Sequence, residues 1–223
     1  MTRSTIVQIP AIEIDKLAIT IAGRTILSGL SLSLFPKQKT TLVGRSGCGK
    51  STLLHSLLGF VAPEAGVIRI FGRELSSQSV WQLRTRMAYV AQEPEMGSGN
   101  VRDILARPFA FKNNRHLRRN MARVPELMQR LYLPGTLLDK DVSTLSGGEK
   151  QRVALMAALL LDREILLLDE ASSALDQSSK YAVIDLLRSN QALTVLSVSH
   201  DQEWIGFSDT HFDLCKAQQG AAA

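Results

Sequence analysis

A chain of 223 residues with 45% hydrophobic and 21% charged residues has the composition of an ordinary globular protein, which excludes disordered and fibrous chains. A net charge of +5 is a mild excess that suits a polyanionic ligand or an anionic membrane surface without establishing either. The two cysteines, Cys48 and Cys215, lack metal-type spacing, so we expect free thiols in a reducing compartment. The apolar run from Val153 is about half the ~18 residues that span a bilayer, so we expect a cytosolic chain with at most a peripheral membrane link.

Strand patterns dominate the first part of the chain. Apolar residues alternate over 12–21, with one slip at Asp15 and Lys16, and alternate again over 29–35. Both patterns predict strands, and together they predict an antiparallel β region. The elements predicted next are a strand at 40–44, a helix from Gly49, a turn at 63–66, a strand at 67–72, a helix at 79–86 and a strand entering a loop at 87–94.

Residues 100–134 differ in character, since they are rich in Arg, Asn and Met and are punctuated by prolines. They predict helices, and we expect an inserted helical subdomain at about 93–145. The α/β pattern then resumes, with a helix at 146–161, a strand at 164–170, a helix near 176–189 and a strand at 193–200. The run ILLL at 165–168 does not alternate, which is typical of a parallel strand covered on both faces.

The stretch GRSGCGKST fits the pattern of a phosphate-binding loop between a strand and a helix. Glycines let backbone N–H groups turn toward phosphate oxygens, Lys50 can reach the β- and γ-phosphates, and the Ser51 hydroxyl can ligate Mg²⁺. The alternative is a glycine-rich turn that binds nothing, but the flanking strand and helix favour the loop. The candidate phosphate contacts are Gly44, Arg45, Ser46, Gly47, Cys48, Gly49, Lys50, Ser51 and Thr52.

Four further polar residues stand at or just beyond the ends of predicted strands. Ligands of open parallel sheets bind beyond the carboxyl ends of strands. We therefore expect Asp169 in the Mg²⁺ shell and Glu170 to orient or deprotonate the attacking water. Gln92 can contact Mg²⁺ or its water, and His200 can reach a γ-phosphate. Taken singly, a residue of this kind more often lies in a solvated loop, or in the core with its hydrogen bonds satisfied, than in a functional site.

The stretch LSGGEKQR, from Leu145 to Arg152, places two glycines after a serine at the head of an apolar helix. Backbone N–H groups at a helix N-terminus favour an anion. The chain carries, in this order, the phosphate loop, Gln92, this stretch, ILLLDEASSALD and His200. With this order of motifs it resembles the nucleotide-binding subunit of an ABC transporter over about residues 6–214.

The resemblance implies an α/β fold that forms a single domain over 1–223. A P-loop NTPase core with a parallel sheet, at about 6–92 and 146–214, carries an N-terminal antiparallel β subdomain and the inserted helical subdomain.

The resemblance also implies an ATP site shared by two copies of the chain. The signature stretch of one copy contacts the γ-phosphate of an ATP held by the phosphate loop of the other, and the segment SALD at 173–176 is the D-loop. The additional nucleotide contacts that the resemblance implies are Ser146, Gly147, Gly148, Glu149, Asp176 and, at the adenine, Ile21. The catalytic residues that it implies for the shared ATP site are Glu170, His200, Gln92 and Lys50, and the implied Mg²⁺ ligands are Ser51, Gln92 and Asp169.

The implied activity is ATP hydrolysis coupled to transport. Two ATP molecules lie between head-to-tail copies, and opening of this homodimer on hydrolysis drives a separate transmembrane permease. The subunit would lie peripherally on the cytoplasmic face of the inner (plasma) membrane, with no nucleic-acid partner. The chain also looks similar to stand-alone bacterial ATPases attributed to metal-ion export.

Three positions invite comment beside this resemblance. Ile21 stands where the family usually has an aromatic residue that stacks on adenine, so we expect weaker adenine binding. Lys37 stands where the family usually has glycine. Cys48, at a helix N-terminus beside Lys50, is expected to have a lowered pKa.

Two alternative functions stay open on the sequence. One is a soluble ABC ATPase acting on nucleic acid or ribosomes, and the other is a P-loop kinase in which LSGGE is accidental. The basic stretch at 112–123 can contact lipid headgroups, a membrane partner or nucleic acid, although a solvated face is the commonest meaning of such a run.

Overall fold

The computed structural model describes residues 8–220, and the side chains as far as Gln218. The outermost limits of the predicted domain, including residues 6 and 7, lie outside the described residues. Its strands are β1 Ile12–Ile21, β2 Arg24–Leu34, β3 Lys39–Val43, β4 Ala65–Ile70, β5 Arg73–Glu74, β6 Met87–Val90, β7 Ile165–Asp169, β8 Thr194–Val198 and β9 Thr210–Asp213. Its α-helices are α1 Lys50–Leu57, α2 Val80–Arg84, α3 Val101–Ala106, α4 Val124–Arg130, α5 Gly147–Leu160, α6 Gln177–Ser189, α7 Gln202–Phe207 and α8 Leu214–Gly220.

The first sheet is antiparallel, with strand order β2-β1-β4-β5. The alternation in β1 slips where the sequence indicated, because the register with β2 shifts between Ile14 and Leu17 and the intervening Lys16 has a φ of 48°. The slip keeps Ile14, Leu17 and Ile19 on the buried face. The prediction of an antiparallel β region is confirmed.

The second sheet is parallel, with strand order β6-β7-β8-β3-β9. All residues of β7 are buried, as its unbroken apolar run predicted, and all residues of β8 are buried too. Val198 of β8 lies opposite both Asp169 of β7 and Leu42 of β3. This register brings the carboxyl ends of the strands to one edge, where the predicted site residues follow. The predicted fold class is confirmed.

Between β6 and α5 the regular elements are helical, apart from an isolated β-bridge between Asn100 and Asp141. Besides α3 and α4, these are 3₁₀ helices at Arg107–Ala110, Lys112–Arg123, Gly135–Asp139 and Val142–Thr144. The basic stretch thus forms 3₁₀ turns, in keeping with the low helix propensity of its asparagines. Its buried Asn120 side chain donates hydrogen bonds to Leu160 O and Asp162 Oδ2, both at 2.8 Å, which anchors the stretch to the end of α5. The apolar side chains of this region pack in one cluster with α5, α6 and one face of β6–β8.

Four of the strands and α-helices were not predicted: β5, β9, α7 and α8. Strand β9 is short and lies at the edge of the parallel sheet, so its sequence, THFD, lacks the apolar signal of a central strand. Lys37, where the family usually has glycine, has a φ of 70°, which explains that preference. No helix among residues 8–220 is long and apolar enough to cross a bilayer.

Candidate active site

The predicted phosphate loop lies between β3 and α1 at the carboxyl edge of the parallel sheet. Gly49 caps α1 with a φ of 97°, and a Cβ there would lie 2.8 Å from Leu27 Cδ2 and 3.3 Å from Ile26 O. Glycine is therefore required at this position both by conformation and by space. Arg45, Ser46 and Gly47 are exposed, so the turn of the loop faces solvent.

Lys50 lies inside the loop. Its ammonium group donates hydrogen bonds to Gly44 O at 2.8 Å and to Arg45 O at 3.2 Å, and the residue is only 6% exposed. Its position in a glycine-rich loop predicts an exposed lysine that contributes little to the core, and that prediction is wrong. Because Lys50 bonds two carbonyl oxygens of the loop, it holds the loop closed around its own charge. A phosphate oxygen can take over these bonds without Lys50 leaving the loop.

The first carboxylate of the site, that of Asp169, is buried at the end of β7. Its Oδ1 accepts a hydrogen bond from Ser51 Oγ at 3.1 Å, and its Oδ2 accepts one from Tyr89 Oη at 3.4 Å. Burial, followed by the charge and hydrogen bond of Asp169, raises the pKa of Tyr89 to about 12, so its phenol stays protonated and donates. His55 Nε2 lies 3.3 Å from the same hydroxyl. The carboxylate is thus held from two sides.

The second carboxylate, that of Glu170, lies in a strained turn directly after β7. Its φ is 45°, and its N–H donates to Val198 O at 3.0 Å, which ties the turn to β8. Gln92 Nε2 donates to Glu170 Oε2 at 3.1 Å, and His200 Nε2 lies 3.8 Å from Glu170 Oε1. The structure therefore brings the three residues that were predicted from separate strand ends into one cluster. A cavity of about 380 Å³ beside Glu170 and His200 also contacts the D-loop.

The signature stretch begins α5 with a capping box. Ser146 Oγ accepts from Glu149 N at 3.3 Å, and Glu149 Oε2 accepts from Ser146 N at 2.8 Å. These bonds, the backbone bond first, lower the pKa of Glu149, so its carboxylate is committed to the helix end. In this chain the contacts of Glu149 are those of a cap. Ser146 and Gly147 remain exposed at the helix N-terminus.

The D-loop packs directly on the signature helix. A Cβ on Gly148 would lie 2.8 Å from Ala174 O, whereas one on Gly147 would lie 3.6 Å from Ala174 Cβ. Gly148 is thus required by close packing within the chain. Arg152 adds a second link, since its Nη1 donates to Ser179 Oγ at 2.7 Å on α6.

Asp176, the last residue of the D-loop, caps α6. Its carboxylate accepts hydrogen bonds from Ser179 N at 2.8 Å, Ser178 Oγ at 2.7 Å and Ser179 Oγ at 3.0 Å. These bonds lower the pKa of Asp176 to about 2, the backbone bond most of all. The side chain therefore holds the D-loop in place, in addition to the predicted contact with nucleotide.

The outcomes differ for two further candidate residues, Cys48 in the phosphate loop and Ile21 at the end of β1. The pKa of Cys48 is raised by burial and by a hydrogen bond with Cys215, and these outweigh the opposing charge of Lys50. The expectation of a lowered pKa is wrong, because the sequence showed neither the burial of this thiol nor the position of Cys215 beside the loop. Ile21 ends β1 and is 44% exposed, and its role at adenine stays a prediction.

Comparison with known proteins decides the family. Residues 27–173 match the family model described as ABC transporter. The probable iron export ATP-binding protein FetA of Escherichia coli (strain K12) is 32% identical over 203 residues, which cover 90% of this chain and 89% of FetA. This chain belongs to the ABC transporter family.

Other members of the family agree. The energy-coupling factor transporter ATP-binding protein EcfA1 of Geobacillus kaustophilus (strain HTA426) is 39% identical over 168 residues, which cover 73% of this chain but only 59% of EcfA1. The structure of cbiO1 from Clostridium perfringens, part of the ABC transporter complex cbiONQ, is 25% identical with a TM-score of 0.79, over 92% of this chain and 85% of that one. The chain is therefore an ATP-binding, ATP-hydrolysing component of an ABC transporter. This family membership excludes the kinase alternative.

Sequence reasoning missed three residues that lie around the site and support it from other elements: Tyr89, Arg152 and Cys215. Tyr89 lies in β6 directly between apolar residues, and Arg152 lies within the predicted helix, so their sequence contexts indicated only secondary structure. Tyr89 contacts Asp169, Arg152 contacts Ser179 on α6 and Cys215 lies beside Cys48, and each of these partners is distant in the chain. A motif search reads local spacing, and these contacts depend on the packing of separate elements.

Proposed function

We propose that this chain powers a separate transmembrane permease by closing on a second copy of itself, head to tail, around two ATP molecules. The observation that carries the proposal is the exposed head of α5. Ser146 and Gly147 face solvent at a helix N-terminus, on a helix that the D-loop and Arg152 hold in place. Such an N-terminus favours a negatively charged group from outside the chain. The γ-phosphate of an ATP on the opposing copy supplies one.

In this proposal the phosphate loop binds the triphosphate of ATP through its backbone N–H groups and Lys50. Glu170, oriented by Gln92 and near His200, accepts a proton from the attacking water. His200 is half exposed beside it and can donate to the γ-phosphate. The neighbouring carboxylate, that of Asp169, accepts hydrogen bonds from Ser51 and Tyr89 and takes no part in this proton transfer.

The residues at the edge of the sheet fit Mg²⁺. The hydroxyl of Ser51 and the carboxylate of Asp169 are 3.1 Å apart, and both are oxygen ligands of the kind that this ion prefers. Ser51, Asp169 and the amide oxygen of Gln92 would hold the ion. When bound, Mg²⁺ neutralises charge on the β- and γ-phosphate oxygens.

The relatives support a membrane partner. EcfA1 and cbiO1 are named as components of transporters, which favours a transporter over a nucleic-acid ATPase. The same relationship supports a peripheral position on the cytoplasmic face of the plasma membrane. FetA, matched over most of both chains, is named for probable iron export, which supports metal-ion export as the partner's task. Co-purification of the tagged chain with a polytopic membrane protein tests this part of the proposal.

The dimer itself is tested with Glu170→Gln. The amide keeps the shape of the side chain but cannot accept the proton, so hydrolysis should fall by about 10²–10⁴-fold while ATP binding persists. Size-exclusion chromatography with light scattering should then show a stable dimer in Mg-ATP and a monomer after ATP is removed. Glu64→Gln, in an exposed turn, is the matched control. A monomeric Glu170→Gln variant with normal ATP turnover would contradict the shared-site mechanism.

A further inference from the structure

Helix α8 lies against the phosphate loop and holds it by two hydrogen bonds. Strand β9 pairs with β3 so that Asp213 is opposite Val43, and α8 therefore begins beside the residue where the loop begins. The N–H of Arg45 donates to Cys215 Sγ at 3.3 Å, and Gln218 Nε2 donates to Cys48 O at 3.1 Å. The helix is thus attached to the loop at both cysteines.

Both sulfur atoms lie beside Gly44, in the space that its missing side chain leaves open. A Cβ on Gly44 would lie 2.9 Å from Cys48 Sγ and 3.2 Å from Cys215 Sγ, so both sulfurs lie against the same face of this glycine. Cys215 is also among the groups that raise the pKa of the Cys48 thiol, which is consistent with this proximity. Both are free and only partly buried, so a small oxidant can reach them. Although 167 positions separate the two cysteines in the sequence (215 minus 48), the fold makes them neighbours.

We propose that Cys48 and Cys215 are a redox modification site, in which a hydroperoxide joins the two sulfurs in a reversible disulfide that weakens nucleotide binding. The thiolate of one cysteine attacks the O–O bond of the hydroperoxide, which leaves a sulfenic acid and releases water or an alcohol. The second thiol attacks the sulfenic sulfur, the S–S bond forms and water leaves. Two electrons pass from the thiols to the peroxide, and the two thiol protons end in the released products. Excess small-molecule thiol reverses the reaction.

The bridge acts on the loop because Cys48 stands between Gly47 and Gly49. A disulfide brings its sulfurs to about 2.05 Å, whereas the two cysteines are not bonded in the structure. Formation of the bridge therefore requires Cys48, Cys215 or both to move, and any movement of Cys48 carries the neighbouring backbone N–H groups with it. The effect on nucleotide rests on the proposed role of this loop, whereas formation of the bridge does not.

The test uses the full chain, hydrogen peroxide and peptide mass mapping under non-reducing conditions. We expect both thiols to disappear together, a peptide that links Cys48 to Cys215, and at least a tenfold loss of ATP affinity that dithiothreitol restores. Cys215→Ser is the matched variant, because its hydroxyl can still accept from Arg45 N but cannot form the bridge. It should bind ATP as the unmodified chain does, and peroxide should leave that binding intact.

The outcomes separate the two parts of the inference. Loss of thiols with no linked peptide, or with a cross-linked dimer on a non-reducing gel, would overturn the modification site. A linked peptide with unchanged ATP affinity would overturn the effect on the loop. Failure of both the reduced and the oxidised chain to bind ATP would instead contradict the proposed function, even where the linked peptide forms.

Discussion

Ser51 donates a hydrogen bond to Asp169 across 3.1 Å, although 118 positions separate them and β8 lies between β7, which ends at Asp169, and β3, which precedes the loop and Ser51. The contact exists because β3, β8 and β7 end in register at one edge of the sheet. It joins the phosphate loop to the carboxylate that would hold Mg²⁺. The other oxygen of that carboxylate is held by Tyr89, and this suggests the first test.

Tyr89→Phe should raise the Mg²⁺ concentration that gives half-maximal ATPase activity. Loss of an outer hydrogen bond to a metal-binding carboxylate commonly costs 10–100-fold in metal affinity, and the 3.4 Å separation here favours the lower end of about tenfold. Binding of ATP measured without Mg²⁺ should not change. An unchanged Mg²⁺ dependence would show that Ser51 and the fold suffice to position Asp169.

Lys50→Ala should affect nucleotide binding and stability together. Loss of a charge-assisted bond to phosphate costs about 1.5–3 kcal/mol, so ATP affinity should fall at least tenfold. The variant also loses two bonds to loop carbonyl oxygens, so its free energy of unfolding should fall by about 1 kcal/mol. Isothermal titration and urea unfolding measure the two effects, with the exposed Lys112→Ala as control. Wild-type hydrolysis in Lys50→Ala would contradict the phosphate-loop assignment.

Gly148→Ala and Gly147→Ala should differ in stability although both residues lie in the first turn of α5. Alanine gains up to about 1 kcal/mol over glycine within a helix. At Gly147 the new methyl has ordinary contacts, so that variant should gain stability. At Gly148 it would lie 2.8 Å from Ala174 O, and the D-loop must shift. Urea unfolding should therefore rank Gly147→Ala above Gly148→Ala; equal stabilities would show that the D-loop moves at no cost.

Ile21→Tyr tests the adenine contact. Since isoleucine cannot stack on the base, most ATP affinity should come from the triphosphate, and GTP should compete within about tenfold of ATP. The tyrosine should tighten ATP, relative to tripolyphosphate, by up to the ~1–3 kcal/mol of a stacking contact. Titrations of ATP, GTP and tripolyphosphate against both proteins measure this. A strong preference for ATP in the wild type, unchanged in Ile21→Tyr, would place the adenine elsewhere.

The sequence by itself determined the fold class, the family and the identity of the motifs. Apolar alternation in β1 and the unbroken apolar run of β7 reflect how each strand is buried, so these patterns are local and readable. The phosphate loop is readable for the same reason, because its glycines and Lys50 act within nine consecutive residues. The strand-end positions of Gln92, Glu170 and His200 also followed from the sequence, since parallel strands that end in register bring such residues together.

The tertiary structure alone decided how these residues are held. The packing of Gly148 on Ala174 and the raised pKa of Cys48 both depend on residues from other elements. Strand β9, short and at the edge, has too weak a pattern to be recognised, so neither it nor the placement of Cys215 was predicted. The spacing of residues along the chain shows which groups a local motif contains. The distances between distant elements arise only when sheets and helices pack, and that packing gave Asp169, Cys48 and Gly148 their neighbours.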